Sequence, residues 1–351
     1  FPTRRSSDLE SASVEGVNEI IGTGPFKFVE WVQDQYVHLQ KFDDYQSRTE
    51  ESDGHFGAKE ALLDDIYFEF VLDPSTRAAG LQTGEYDIAQ SMPIDNALLL
   101  EQDPDITLHT VPSVSTLVLI PNKAKGFFTD VKAREVLAAV LDADEIMQAA
   151  FSDERFYRLD SSMMLEPQQV YWYSDQGKEK YNQKNPEKAK QLLEEIGYNG
   201  EPIRIITDRD YASHYNASVV FQKQLEEIGM NVQLEVYDWP TQLEKIDDPD
   251  AYDLYIMGHS LRADPTAIYY FAKGEGGFTD SEELDQLLEE FRSQPSLEDT
   301  KDVFDRLQKW HWEYIPAIKI GEYSRADMAR NTVENLRHQG RMLLWNVTNN
   351  K

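Results

Sequence analysis

From GTGPFKFVEW, residues 22–31, apolar and polar side chains begin to alternate, and they continue to do so as far as Phe42. Two glycines and a proline make a turn. FKFVEWVQDQYVHLQKF then reads as two strands of a hairpin joined at Gln33-Asp34-Gln35. A strand is predicted over 64–73, then a helix capped by Asp73 and running through Gly80. A turn at Thr83-Gly84 and a strand over 86–89 follow. STLVLIPN, 115–122, is apolar enough for a buried strand, ended by Pro121.

The period then changes. Asp130 is placed to cap one helix over 131–151, and residues 157–183 form an irregular, aromatic-rich connection. Asn185-Pro186 supplies a cap and a first-turn proline to a helix that stops at Gly197, where a left-handed residue fits. Strand 203–207, helix 214–229, strand 231–239, helix 241–246 and strand 252–258 alternate with short links. That order predicts parallel strands joined by right-handed crossovers. LLEEIGY from Leu192 and QLEEIGM from Gln224 are two helices ending on glycine, too few copies for a solenoid. Acid-faced amphipathic helices occupy 281–314, and strands are predicted at 315–323 and 342–347. The class is α/β, antiparallel-leaning at first and parallel later.

Composition narrows the function. With 351 residues, 40% hydrophobic and 11% aromatic, the chain can bury a sizeable core in one or two domains. A net charge of −30 excludes nucleic acid and anionic membranes as partners, because both need clustered Lys and Arg. It suits a salty or extracytoplasmic setting, where charges beyond about 8 Å apart are screened. There is no cysteine, hence no disulfide, thiolate or Cys-zinc chemistry. No apolar run approaches the roughly 18 residues of a membrane span, and no signal peptide is visible. FPTRRSSDL resembles a translated sequencing adapter joined to a broken reading frame, the alternative being a disordered native tail. Residues 1–19 are set outside the fold on either reading, and the true N-terminus is expected to be missing.

The sharpest catalytic candidate is MGHSLR, 257–262. It resembles the nucleophile elbow of α/β-hydrolases, with Ser260 as nucleophile, Asp285, Asp302 or Asp305 as acid, and His311 or His338 as base. Arg262 stands where the elbow needs glycine, and Ala263-Asp264-Pro265 disfavours the helix that should follow. The seven histidines (38, 55, 109, 214, 259, 311, 338) have no metal-binding spacing and are expected at the surface or half-buried. GEGG, 274–277, lacks a Lys-Ser/Thr and reads as a loop. Neither cofactor nor metal is implied. Tyr171, Trp172 and Tyr173, and Tyr269, Tyr270 and Phe271, either plug a core edge or line a gripping cleft.

Several strings together resemble the solute-binding proteins of peptide-type ABC importers, the oligopeptide- and dipeptide-binding family. They are IGTGPFKFVEW, LQTGEYDIAQSMP, FFTDVKAREVLAAVLDADEI, NPEKAKQLLEEIGY, QLEEIGMNVQLEVYDW, YDLYIMGHSLRADPTAIYYF and FTDSEELDQLLEEFRS, in family order. The resemblance implies a type II, two-lobed periplasmic-binding-protein-like fold with its N-terminal third missing. Residues 20–122 plus 322–351 would form the first lobe and 123–321 the second. The implied function is extracytoplasmic capture of short peptides by closure of the lobes, then delivery to a membrane permease, with no enzymatic step. A monomer is implied, with an export signal and a lipid-bearing cysteine in the missing part. The family places an ammonium-binding aspartate after Gly-Trp-x-Ala-Asp. Here Gly258 matches, His259 replaces the tryptophan, Arg262 occupies the aspartate's place and Asp264 follows two residues later. The resemblance puts the anchor on Asp264, while Arg262 could instead meet a ligand carboxylate. Ser260 and His259 line the same wall, with Tyr269 and Trp239 beside it. The loss of the tryptophan leaves sugars, nickel chelates and opines open as ligands.

Overall fold

The structure is a computed structural model that describes residues 12–13, 16–17, 20–260 and 262–351. The adapter-like stretch 1–9 lies outside the described residues; within 10–19, only the antiparallel pair Ala12–Ser13 and Gly16–Val17 is described. The chain divides into two compact units. One ends at Val111 and resumes at Ala326, and the other is Pro112–Arg325.

In the first unit, Phe26–Val32 and Tyr36–Lys41 form the expected hairpin with a bulge between Phe28 and Glu30, and Asp65–Glu69 adds a third strand. Helix Pro74–Thr83 is capped by Asp73, whose Oδ1 accepts from the Thr76 amide at 2.7 Å. It continues past Gly80 and ends at the left-handed Gly84; residue 80 has to be glycine because an added Cβ would stand 2.3 Å from the Tyr86 ring. The expected last strand, 342–347, is corrected to Arg341–Leu343, hairpinned with Arg337–Gln339. Asn346 takes a left-handed conformation (φ 61°), and its side chain is tied to Ser52, Ala58 and the Glu60 amide, which ends the extended run.

In the Pro112–Arg325 unit the strand order is Asn231–Tyr237, Pro202–Asp208, Leu254–Ser260, then the parts of Ile106–Pro121 and Ile318–Arg330 within the unit. The first three are mutually parallel, as the alternation of elements predicts. Leu254–Ser260 runs antiparallel to 115–121, with Gly258 opposite Leu117 and His259 opposite Thr116. This strand starts two residues later than its apolar run suggests, because Asp253 is taken by the Arg204 amide (2.8 Å). The single helix predicted over 131–151 is two, Val131–Val140 and Ala143–Phe151. Asp142 caps the second, and Gln224 clamps the break by accepting from the Asp142 amide (3.1 Å) and donating to its carbonyl (3.2 Å). Tertiary contact overrides a helical period here.

Beneath the sheet, Tyr252, Tyr255, Phe304, Trp310 and Leu307 pack in one apolar cluster. Lys319 is buried nearby. Its Nζ donates to Glu322 Oε1 (2.7 Å) and to the carbonyls of Ser162 (2.7 Å) and Met164 (3.3 Å), and lies 3.5 Å from Asp160. Arg158 reaches both carboxylates, at 3.2 Å from Glu322 and 3.0 Å from Asp160. Glu322 Oε2 also accepts from the Glu166 amide (3.0 Å). Two cations and two anions thus staple the 158–166 connection to the sheet. Removing one partner strands the other's charge. Lys319→Met is therefore expected to cost about 3–5 kcal/mol in chemical unfolding, and Lys319→Met with Glu322→Gln to recover part of it.

Candidate functional site

The parallel strands Pro202–Asp208 and Asn231–Tyr237 and the strand Leu254–Ser260 all point their C-terminal ends at one group of side chains. The Gly258 amide donates to His214 Nε2 (2.9 Å), so the His214 proton sits on Nδ1, which donates to Asp208 Oδ2 at 2.7 Å. Tyr211 and Trp239 cover His214, with ring centroids 4.9 and 5.8 Å away. Gly258 has to be small: an added Cβ would stand 2.4 Å from Tyr323 Oη, and Tyr323 is itself stacked on Phe151 (4.7 Å).

One residue on, His259 turns to the opposite face of the strand and is buried against Tyr269 (5.1 Å) and Tyr270 (6.1 Å). Its Nε2 has no hydrogen-bond partner among the described residues. Burial, and then the charges of Arg262 and His214, push its pKa down to about 4, so the ring is neutral near pH 7. Ser260 and Arg262 are exposed. No carboxylate pairs with the Arg262 guanidinium among the described residues, while its carbonyl is held by Gln168 Nε2 at 2.5 Å. Asp264 is engaged locally through one oxygen: Oδ1 accepts from the amide and hydroxyl of Thr266, both at 2.7 Å, capping the 3-10 turn Pro265–Ala267.

His259, Ser260, Arg262 and Tyr269 meet around a cavity of about 30 Å³, closed by Thr116, Met164 and Gln168. Trp239 and Asp264 are not part of its lining; one packs on His214 and the other caps a turn. A larger hollow of about 390 Å³ lies between Phe271–Lys273 and helix Glu282–Ser293. Lys273 is there already paired with Asp280 (3.0 Å) and Asp285 (2.8 Å), and of the sequence-predicted site residues only Asp285 lines it. The smaller cavity, where four sequence-predicted residues meet a buried nitrogen without a partner, is the better candidate.

The serine-elbow alternative fails on geometry. Ser260 ends a strand that leads to the 3-10 turn Pro265–Ala267, whereas an elbow drives straight into a helix. Asp285 is paired with Lys273, and Asp302 and Asp305 are exposed on helix Thr300–Tyr314. His311 is buried beside Tyr270, Phe271 and Trp312, and burial, followed by Lys319, pushes its pKa down to about 3. His338 sits 2.9 Å from Asp327 in the other unit.

The expectation that every histidine is at the surface or half-buried is corrected as well. His38, His214, His259 and His311 are buried, because aromatic neighbours or a carboxylate take the place of water. Asp208, His214, Gln168 and Tyr323 escaped the sequence reading. Asp208 and His214 are six residues apart, at a strand end and in the first turn of the next helix, a spacing that hints at contact. Gln168 lies in the irregular connection and carries no such signal. Of the aromatic groups, Trp172, Tyr270 and Phe271 plug the core, with Trp172 Nε1 donating to Thr300 Oγ1 (2.9 Å), and Tyr171 and Tyr173 are exposed.

Residues 9–280 match the family model described as bacterial extracellular solute-binding proteins, family 5 Middle. The chain belongs to this family. The probable peptide ABC transporter periplasmic-binding protein y4tO of Sinorhizobium fredii is 29% identical over 98% of this chain and 67% of its own length. Among solved structures, the ABC transporter substrate-binding protein CtaP of Listeria monocytogenes superposes with a TM-score of 0.83 at 19% identity, over 98% of this chain and 71% of that one. The oligopeptide-binding protein AppA of Bacillus subtilis, in complex with a nonapeptide, gives 0.75 at 22%, over 98% and 70%. This family-5 chain thus has the fold of type II periplasmic binding proteins and spans about two thirds of the length of these relatives. Among the described residues no helix is long and apolar enough to cross a membrane.

Gly258→Ala should destabilise the fold by about 1–3 kcal/mol through overpacking against Tyr323, and adding Tyr323→Phe should return much of that loss, as read by urea unfolding. His259 gives a second expectation. The unfolded ring takes a proton near 6.5 and the folded ring only near about 4. Its contribution is complete above pH 6.5 and is lost as pH falls towards 4, about 3 kcal/mol in all. His259→Asn should flatten stability against pH across that window.

Proposed function

We propose that this family-5 chain is the ligand-capturing receptor of an ABC importer, working outside the cytoplasm, binding short peptides and handing them to a membrane permease. No covalent step is involved. The observation that carries this reading is the family match over residues 9–280, supported by y4tO, a probable peptide transporter component aligned over nearly all of this chain. The candidate site fits the same role. It offers fixed polar groups at strand ends and an apolar wall of Met164 and Tyr269, and His259 Nε2 makes no hydrogen bond to Ser260.

Main-chain hydrogen bonds to an extended ligand would supply affinity without side-chain preference, and waters would fill the spare room. Ser260, Arg262 and His259 are the proposed ligand-facing groups, with Tyr269 as an apolar floor. Asp264 and Trp239 act behind them, shaping the loop and the His214 cluster. We further assign the protein as a monomer held at the outer face of the membrane by a lipid.

Isothermal titration of the full-length gene product with a panel of di- to pentapeptides tests the proposal. Micromolar binding, about 8 kcal/mol, is expected for at least one class of peptide. Absence of binding at millimolar peptide, or hydrolysis of p-nitrophenyl butyrate that disappears in Ser260→Ala, would overturn it.

A further inference from the structure

Arg262 and Asp264 carry opposite charges two residues apart, and the fold uses them differently. Both hydrogen bonds recorded for the Asp264 carboxylate run from Thr266 to Oδ1, so that oxygen serves the turn that follows, and Asp264 does not line the cavity. Arg262 is the reverse case. Gln168 fixes its backbone, its side chain is exposed, and no acid answers it among the described residues of a chain with 64 acids and 34 bases. A cation left unpaired amid so many carboxylates, on the rim of a cavity, is placed to meet an anion from outside.

The cavity's size and lining select that anion. About 30 Å³ is room for about two waters, so only a small polar head such as a carboxylate could enter in their place. Arginine's flat fork matches a carboxylate with two parallel hydrogen bonds, and Ser260 adds a hydroxyl donor on the same rim. His259, neutral and lacking a partner for Nε2, lines the same space and brings no opposing negative charge. Thr116 and Gln168 add polar edges, while Met163, Met164, Leu165, Ile268 and Tyr269 favour an apolar neck beside the charged group.

We propose that this cavity receives a carboxylate of the ligand, gripped by Arg262 and Ser260, so that this wall reads the ligand's acidic end and not its ammonium. The inference rests on the receptor reading for its peptide form, but the anion site itself is testable without a peptide.

His259 is the built-in reporter. After burial, the Arg262 charge is the next cause holding its pKa low, and the other charged or titratable neighbours are His214, Tyr269 and Tyr270. A carboxylate seated on Arg262 cancels that repulsion. In the full chain, titration with succinate, followed by the His259 imidazole signals in NMR, should shift those signals and raise the His259 pKa. In Arg262→Gln the pKa should start higher and no longer respond. Trialanine, trialanine amide and N-acetyltrialanine form the second arm. Amidation and Arg262→Gln should each weaken binding on the order of ten- to a hundredfold and not add to one another, whereas N-acetylation should have little effect. The proposal falls if succinate leaves His259 unmoved, if Arg262→Gln responds as the parent does, or if phosphate acts equally well. It also falls if acetylation abolishes binding while amidation does not. A succinate response without binding of any peptide would sink the peptide reading alone and leave the carboxylate site standing.

Discussion

The candidate site depends on a charge buried where charges are costly. Lys319 sits in the Pro112–Arg325 unit with two carboxylates, an arginine and two main-chain carbonyls around its ammonium group. Such a group gains little net energy over a well-packed apolar one. What it gains is position. The connection through Met163, Met164 and Leu165 has no regular secondary structure to place it, so specific hydrogen bonds to its backbone do so. The same connection then supplies Gln168, which holds Arg262. A chain of fixed contacts therefore runs from a buried lysine to an exposed arginine.

On the other side of the strand the tie is neutral. Asp208 orients His214, and His214 accepts from the Gly258 amide, a backbone group at a strand end that would otherwise face a crowded interior without a partner. Tyr323 fills the space that a side chain at 258 would need. His259 faces away from this cluster, and Ser260 follows it at the strand end. Alternation along one strand thus separates the face that packs on His214 from the face that lines the candidate cavity, with Trp239 on the first and Tyr269 on the second.

Much of the fold was legible because local chemistry and global structure agree. The Asp73, Asn185 and Asp130 caps, the left-handed Gly84 and Gly197, and the parallel strands after Pro202 all stand where the residue pattern puts them. The pattern misled where a distant side chain decided the backbone. Gln224 splits a helix that its own sequence would continue, and Asn346 ends a strand because its amide is needed elsewhere. The site was half legible. His259, Ser260, Arg262 and Tyr269 do come together, since three of them share a strand end and its exit. Asp264 could be named as a charge, but that its carboxylate binds Thr266 is a matter of three-dimensional spacing. Gln168 was out of reach, because nothing in an irregular stretch announces which residue it will touch.

The tether at Gln168 has a chemical vulnerability. A single primary-amide nitrogen reaches the carbonyls of both Arg262 and Ala263. Slow hydrolysis of that amide to an acid would put a lone pair and a negative charge where a donor stood, facing two carbonyl oxygens. Attraction would become repulsion with the chain otherwise unaltered. The backbone at 262–263 therefore keeps its shape only while residue 168 remains an amide.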